Sequence, residues 1–267
     1  MPTPQFLLQT AAKHGQAEAI RLVYNALLKD GRNPQHPWEL NIAGGVHQDE
    51  IPPKWCIYED GVIHSALEGS NPLAVFKLFA EYGMKPDHNL DRAINPTAHA
   101  IAMNNVELVR YFLAQGANPT GRYIQREDTY LGAATRHPQS YMLELLLEHG
   151  SKLEGSQALR QAVERGQIRN AEILLDRGAD VNETFTQYNF HEGRDKVWGC
   201  PLHFAISPWE SQVRGASKPE VVQFLLFRGA KPELRNGQGK TTLDLAVEEK
   251  EEAVVRILSD YSPEVQS

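Results

Sequence analysis

Cysteine is scarce in this chain of 267 residues, which contains only Cys56 and Cys200. Two cysteines are too few to build a disulfide scaffold, so a reducing compartment, cytoplasmic or nuclear, is expected. The two cysteines form no C-x-x-C pair, and the ten histidines include no H-E-x-x-H. The sequence therefore predicts no metal site, and none of its motifs indicates a cofactor.

Long apolar runs are also missing. No stretch approaches the roughly 18 consecutive apolar residues of a membrane-spanning helix, so no membrane span is expected. The first residues, MPTPQFLLQTAAKHG, lack the basic segment and the apolar run of an export signal. These absences predict an intracellular location.

Positive charge is outnumbered, with 27 Lys and Arg against 34 Asp and Glu and a net charge of −7. Nonspecific nucleic-acid affinity comes from clustered Lys and Arg that neutralise phosphates. The sequence therefore predicts no nucleic-acid binding, and a monomer is expected when no partner is present.

The clearest pattern that is present lies in residues 156–182, SQALRQAVERGQIRNAEILLDRGADVN. Leu159, Ala162 and Val163 have the i, i+3, i+4 spacing of one helical face, and Gly166 ends that helix. A second apolar stripe follows and ends at Gly178, which stands where a left-handed residue closes a helix. The stretch predicts two short helices joined by a turn.

The same pattern recurs along the chain, which indicates internal repeats. The buried alanine of the first helix serves as the index of each copy, and 34 residues separate Ala66 from Ala100 and Ala100 from Ala134. The index alanines of the seven copies are Ala11, Ala66, Ala100, Ala134, Ala162, Ala205 and Ala246.

Two copies carry a longer motif, Pro201-Leu202-His203-Phe204-Ala205 and Gly239-Lys240-Thr241-Thr242-Leu243-Asp244-Leu245-Ala246. Both resemble the T-P-L-H-x-A motif of the ankyrin repeat family, whose unit of about 33 residues holds two helices. In two middle copies Gly132 and Arg160 replace the motif histidine. Where the histidine is present, at His64 and His203, structural hydrogen bonds near the turn are expected.

This resemblance implies an all-α fold, an ankyrin-repeat solenoid of stacked helix–turn–helix units. The alternation of residues in the 183–200 insertion predicts β-hairpin-like excursions from it. A single ankyrin-repeat domain over 1–267 is expected. The repeats lie near 5–29, 59–86, 94–119, 128–153, 156–182, 200–232 and 238–260, and the insertions at 30–58, 183–200 and 207–218. Such a fold constrains function little.

In the ankyrin family, variable positions after the paired small residues of the first helix face a concave groove. The resemblance therefore implies that Arg136, His137, Glu164 and Arg165 face this groove, with Asp128 on a turn beside it.

The insertions are rich in aromatic residues, and two interpretations remain open. These residues either pin the insertions onto the repeats or form the walls of a pocket. The candidates are Trp38, Trp55 and Tyr58 in the first insertion, Tyr188, His191 and Trp198 in the second, and Tyr123 between them. In the pocket interpretation, the first two insertions lean over the groove above repeats three and four.

Two functions from different classes follow. The first is a recognition module that binds a protein partner through the concave groove, which the family resemblance favours. The second is a small-molecule binder or a cofactor-free cyclase or isomerase with acid/base histidines, which the aromatic insertions favour.

Overall fold

The computed structural model describes residues 2–29, 60–87, 95–122, 128–189, 193–207 and 218–261. The chain divides into two compact units, Met1–Glu127 and Asp128–Ser267, and each has its own helix pairs. The single domain expected over 1–267 stays a prediction.

Unit 1 contains three helix pairs in its described residues. The first helices of the pairs pack in a row, α1 against α3 and α3 against α5, and the second helices form another row, α2 against α4 and α4 against α6. The helices are α1 Pro4–Lys13, α2 Ala17–Lys29, α3 Asp60–Leu67, α4 Pro72–Glu81, α5 Pro96–Ala102 and α6 Val106–Ala114.

Unit 2 contains four helix pairs and one β-hairpin in its described residues. The first helices again form a row, in which α9 packs against both α7 and α11, and α11 packs against α13. The elements are α7 Tyr130–Ala134, α8 Tyr141–Glu148, α9 Ala158–Glu164, α10 Ile168–Asp176, β1 Phe185–Asn189, β2 Arg194–Gly199, α11 Pro201–Ile206, α12 Pro219–Phe227, α13 Thr242–Glu248 and α14 Glu252–Asp260.

Short polar side chains begin many of these helices. Asn95 Oδ1 accepts the backbone N–H of Ala98 over 2.7 Å, and Asn105 Oδ1 accepts that of Leu108 over 3.0 Å. Each cap satisfies an amide that would otherwise lack a partner in the first helical turn. Helix ends also follow the prediction: just after the C-terminus of α10, Gly178 has φ +92°, the left-handed conformation predicted for it.

The core of each unit follows the repeat index. All seven index alanines are buried, and the larger apolar residues of the core stand beside them on both helices of each pair. Because alanine has a small side chain, consecutive first helices can pack closely in the row. The helix pairs and the buried alanines that the sequence predicts are thereby confirmed in both units.

The second insertion forms the hairpin that the sequence predicts. β1 and β2 pair antiparallel, with Gln187 opposite Lys196 and Tyr188 opposite Asp195. The 30–58 insertion, and the 207–218 insertion apart from its two end residues, lie outside the described residues. None of the described helices is both long and apolar enough to cross a membrane.

Candidate functional site

The structure describes about half of the predicted site residues. Trp38, Trp55, Tyr58, Tyr123 and His191 lie outside the described residues, so their place in a pocket stays a prediction. Tyr188 lies in β1, but its side chain is also outside the described part. The remaining residues, Asp128, Arg136, His137, Glu164, Arg165 and Trp198, all belong to unit 2.

Asp128 connects two neighbouring repeats of unit 2. Its Oδ2 forms an ion pair with Arg136 Nη2, and its Oδ1 accepts a hydrogen bond of 3.0 Å from Gln161 Nε2. Gln161 lies on α9 and is fully buried. A Cβ atom on Gly132 would come within 2.6 Å of Gln161 Nε2. Glycine in place of the motif histidine therefore leaves the room that Gln161 needs to reach Asp128.

Arg160, which also replaces a motif histidine, forms a buried ion pair within α9. Its Nη1 donates to Glu164 Oε1 over 2.8 Å, and the exposed fractions of the two side chains are 7% and 0%. Its Nη2 donates to Gln157 Oε1 over 3.1 Å. Glu164, predicted to face the groove, is therefore occupied as the counter-charge of Arg160, and we leave it out of the candidate contact surface.

The Arg160 guanidinium also holds the hairpin to the repeats. Its carbon lies 4.6 Å from the ring centroid of Phe185 on β1 and 5.5 Å from that of Phe204 on α11. The two rings are themselves 5.8 Å apart in an edge contact. Stacking of a guanidinium on aromatic rings is favourable when water is excluded. The repeat that has Arg160 in place of the motif histidine is thus also the repeat that the second insertion follows.

The cationic side chains of Arg165 and Lys218 both lie against the backbone of α9. Arg165 Nη1 donates to the backbone oxygen of Gln161 over 3.3 Å, and Lys218 Nζ donates to that of Glu164 over 3.0 Å. Burial, followed by the nearby charge of Arg165, lowers the pKa of Lys218. We call the surface formed by Arg136, Arg165 and Lys218 the basic face.

Sequence reasoning missed Lys218 because it stands at the end of an insertion, far along the chain from α9. The only local signal was Pro219, which can begin a helix and thereby places its neighbour at a helix start.

His137 lies beside the basic face, and its backbone oxygen accepts a hydrogen bond of 2.9 Å from Asn170 Nδ2. The structure thus brings together Asp128, Arg136 and Arg165 of the predicted groove set.

Trp198 lies in a different place from the other predicted residues. It belongs to a cavity of about 460 Å³ between β2, α11 and the turn before α13. We call this cavity the hairpin cleft and define it by Lys196, Trp198, Phe204, Asn236, Gln238 and Leu245. Neither Arg136 nor His137 lines it. The described part of the second insertion thus contacts repeats five, six and seven, whereas the pocket interpretation placed it over repeats three and four.

His203 makes the structural hydrogen bonds expected of a motif histidine. Its Nδ1 accepts the backbone N–H of Cys200 over 3.2 Å, so Nε2 carries the proton that is donated to the oxygen of Lys240 over 3.2 Å. Burial lowers the pKa of His203 and raises the pKa of the Cys200 thiol. Both groups therefore stay neutral and serve the fold.

Among the described residues, no group of three or more His, Cys, Asp or Glu side chains could hold a metal ion. The three cations of the basic face are each held by an oxygen of unit 2, that of the Asp128 carboxylate or of the α9 backbone. Such an arrangement suits the binding of carboxylates on another molecule.

Comparison with known proteins identifies the repeats. The family model of ankyrin repeats in three copies matches residues 98–185. An ankyrin repeat domain-containing protein, SAT10 of Stachybotrys chartarum, is 22% identical over 214 residues. That match covers 77% of this chain but only 10% of SAT10, so the chain spans about a tenth of the length of this relative.

The fold also resembles a solved structure. The crystal structure of the ankyrin repeat domain of Bcl-3, a member of the IkappaB protein family, superposes with a TM-score of 0.58 and 24% sequence identity. The match covers 74% of this chain and 84% of that domain. The repeat motifs, the rows of helix pairs and these matches lead to one conclusion: residues 98–185 consist of ankyrin repeats, and the chain has the helical ankyrin-repeat fold.

Proposed function

We propose that the protein is a recognition module that binds a protein partner through the basic face of unit 2. Ankyrin repeat domains typically serve in protein–protein interaction. The partner contributes an acidic surface, because three cationic side chains lie along this part of unit 2, and the carboxylates described beside them, those of Asp128 and Glu164, are paired with Arg136 and Arg160.

The observation that carries this proposal is the contact path that connects the three cations. Arg136 binds Asp128, Asp128 accepts from Gln161, and Arg165 donates to the backbone of the same Gln161. Glu164 and Lys218 continue the path through a backbone contact. Cations held in place by such contacts lose little conformational freedom when a partner binds, which favours affinity.

The position of the face also supports the proposal. Arg136 and Arg165 follow the first helices of two consecutive repeats, so the repeat spacing sets the distance between them. The buried Arg160–Glu164 pair below them is neutral as a pair and does not cancel their field. Complementary charge of this kind steers association and selects the partner.

Site-specific photo-crosslinking tests the proposal. A photoreactive phenylalanine replaces His137 beside the basic face in one variant, and Glu172 on the exposed side of α10 in the control. We expect a crosslinked partner at position 137 that is absent at position 172 when the full chain is expressed in cells. A partner that crosslinks equally at both positions, or at 172 alone, would contradict the proposal.

A further inference from the structure

We infer that the hairpin cleft is a second contact site, which takes an apolar side chain of a partner peptide with an acidic residue next to it. This inference rests on the proposed recognition function and adds a specificity pocket to it. The cleft lies within unit 2 and is built from elements of three successive stretches, β2, α11 and the turn that precedes α13.

The hairpin that forms one wall of the cleft is held in place by close backbone packing. A Cβ atom on Gly237 would collide with the backbone oxygen of Val197, so glycine is required where the turn meets β2. Phe185 at the base of the hairpin is fixed between Arg160 and Phe204. The wall is therefore anchored at two points, and the cleft exists before any ligand binds.

The lining of the cleft combines an apolar floor with polar side chains, which include His203 and Ser207. Phe204 and Leu245 are exposed by only 4% and 7% and form the floor. Trp198 stands above them on β2, while the amide side chains of Asn236 and Gln238 lie on the rim. An apolar floor with a few convergent polar groups is the usual composition of a ligand site.

Lys196 gives the cleft its charge preference. Its Nζ lies 4.0 Å from the ring centroid of Trp198, on the same side of the strand, because residues i and i+2 share a face. Within the described part of the chain, this ammonium forms no ion pair. A carboxylate next to the apolar anchor would therefore gain a charged partner at the rim without displacing another one.

The size and openness of the cleft favour a peptide side chain as the occupant. A volume of about 460 Å³ lies near the lower end of ligand pockets, which range over roughly 300–1,000 Å³. Among the described residues the cleft is partly open beside the exposed residue Gln238, so a peptide chain can continue on both sides of an inserted residue. Trp is also one of the residue types enriched among the side chains that dominate binding energy at protein interfaces.

Selection from a phage-displayed library of random peptides on the full chain tests the inference. We expect peptides that share an apolar residue beside Asp or Glu, with affinity about tenfold or more weaker for Trp198→Ala. Selection on Lys196→Glu should yield Lys or Arg in place of the acidic residue. Phe227→Ala and Lys231→Glu, which change an exposed aromatic residue and an exposed lysine outside the cleft, are the matched controls.

Each outcome decides the matter. If no selected peptide binds Trp198→Ala more weakly than the wild type, or if Lys196→Glu keeps the acidic preference, the inference is wrong. Because Lys196→Glu changes only a partly exposed side chain, it decides the case even if Trp198→Ala fails to fold. Peptides that lose affinity with Arg165→Glu but not with Trp198→Ala would leave the proposed recognition function standing and remove the cleft.

Discussion

Arg160 and Glu164 form an ion pair of 2.8 Å in which both side chains are buried, one helical turn apart on α9. A buried charge without its partner is costly, typically by about 3–5 kcal/mol. Arg160 stands where the repeat motif has histidine, and its buried guanidinium requires the Glu164 carboxylate as its counter-charge. Glu164 is therefore not available to face the groove. The ion pair explains why Glu164 does not join Arg136 and Arg165 on the basic face.

Removal of one partner tests this coupling. Glu164→Leu should lower the free energy of unfolding by about 3 kcal/mol, because it leaves the Arg160 guanidinium buried without its counter-charge. Arg160→Met combined with Glu164→Leu should cost less than Glu164→Leu alone. Urea unfolding of the three proteins measures the difference. A double variant that is less stable than Glu164→Leu would show that the pair itself, and not the orphaned charge, sets the stability.

Gly178→Val tests the helix ending between repeats five and six. The residue has φ +92°, and a Cβ atom at this position would meet nothing within 4 Å beyond its chain neighbours, so the expected penalty comes from backbone strain alone. We predict a loss of more than about 1 kcal/mol in unfolding free energy, because a β-branched residue strongly disfavours positive φ. Gly178→Asn should lose less, since asparagine tolerates the left-handed region. Equal stability of the valine variant and the wild type would contradict the assignment.

Gly237→Ala tests the docking of the hairpin. The new methyl group would meet the backbone oxygen of Val197, so β2 must move away from the turn. We expect the indole resonance of Trp198 to shift and the amides of β2 to exchange faster with solvent. Lys231→Ala, which changes an exposed side chain outside the hairpin cleft, should leave both unchanged. Identical spectra of the Gly237 variant and the wild type would show that the turn does not hold the hairpin.

The stability of the fold should fall in mild acid. Burial lowers the pKa of His203 below its ordinary value of 6.5, so the unfolded chain takes up a proton that the folded chain refuses. Between the two pKa values the unfolded state binds more protons, and stability therefore rises with pH and is lost as pH falls below about 6.5. His203→Gln should flatten this part of the profile in urea unfolding at a series of pH values.

His99 contributes separately to the same pH range. Burial and the charge of His64 lower its pKa, and the two rings lie 5.7 Å apart. His99→Gln should therefore remove a further part of the slope. If His203→Gln leaves the slope unchanged while His99→Gln abolishes it, the neutral role of His203 is wrong.

Local patterns in the sequence predicted the helix pairs because each depends on a few neighbouring residues. The spacing of Leu159, Ala162 and Val163 sets one face of α9, and Gly178 ends α10 whatever lies around it. The alternation of residues 185–198 likewise predicted the hairpin, since strand pairing across a short turn is also local.

The candidate site was predicted only in part because it depends on contacts between distant residues. The family resemblance placed Glu164 in the groove by its position in the repeat, but Glu164 is buried as the ion-pair partner of Arg160. The Arg160 guanidinium in turn lies against the ring of Phe204 from the next repeat. Lys218 joins the basic face only because α12 begins beside α9. The cleft around Trp198 was not predicted because it depends on the contact between β2 and the turn at Gly237, which are distant in sequence.

The affinity of a crosslinked partner for Arg165→Glu is the most direct test of the central claim, that the basic face binds an acidic protein surface. The control is Arg169→Glu, the same change on the exposed side of α10. Isothermal titration calorimetry with the purified partner should give a Kd about tenfold or more weaker for Arg165→Glu and an unchanged Kd for Arg169→Glu. Equal affinities of the wild type and Arg165→Glu would contradict the claim.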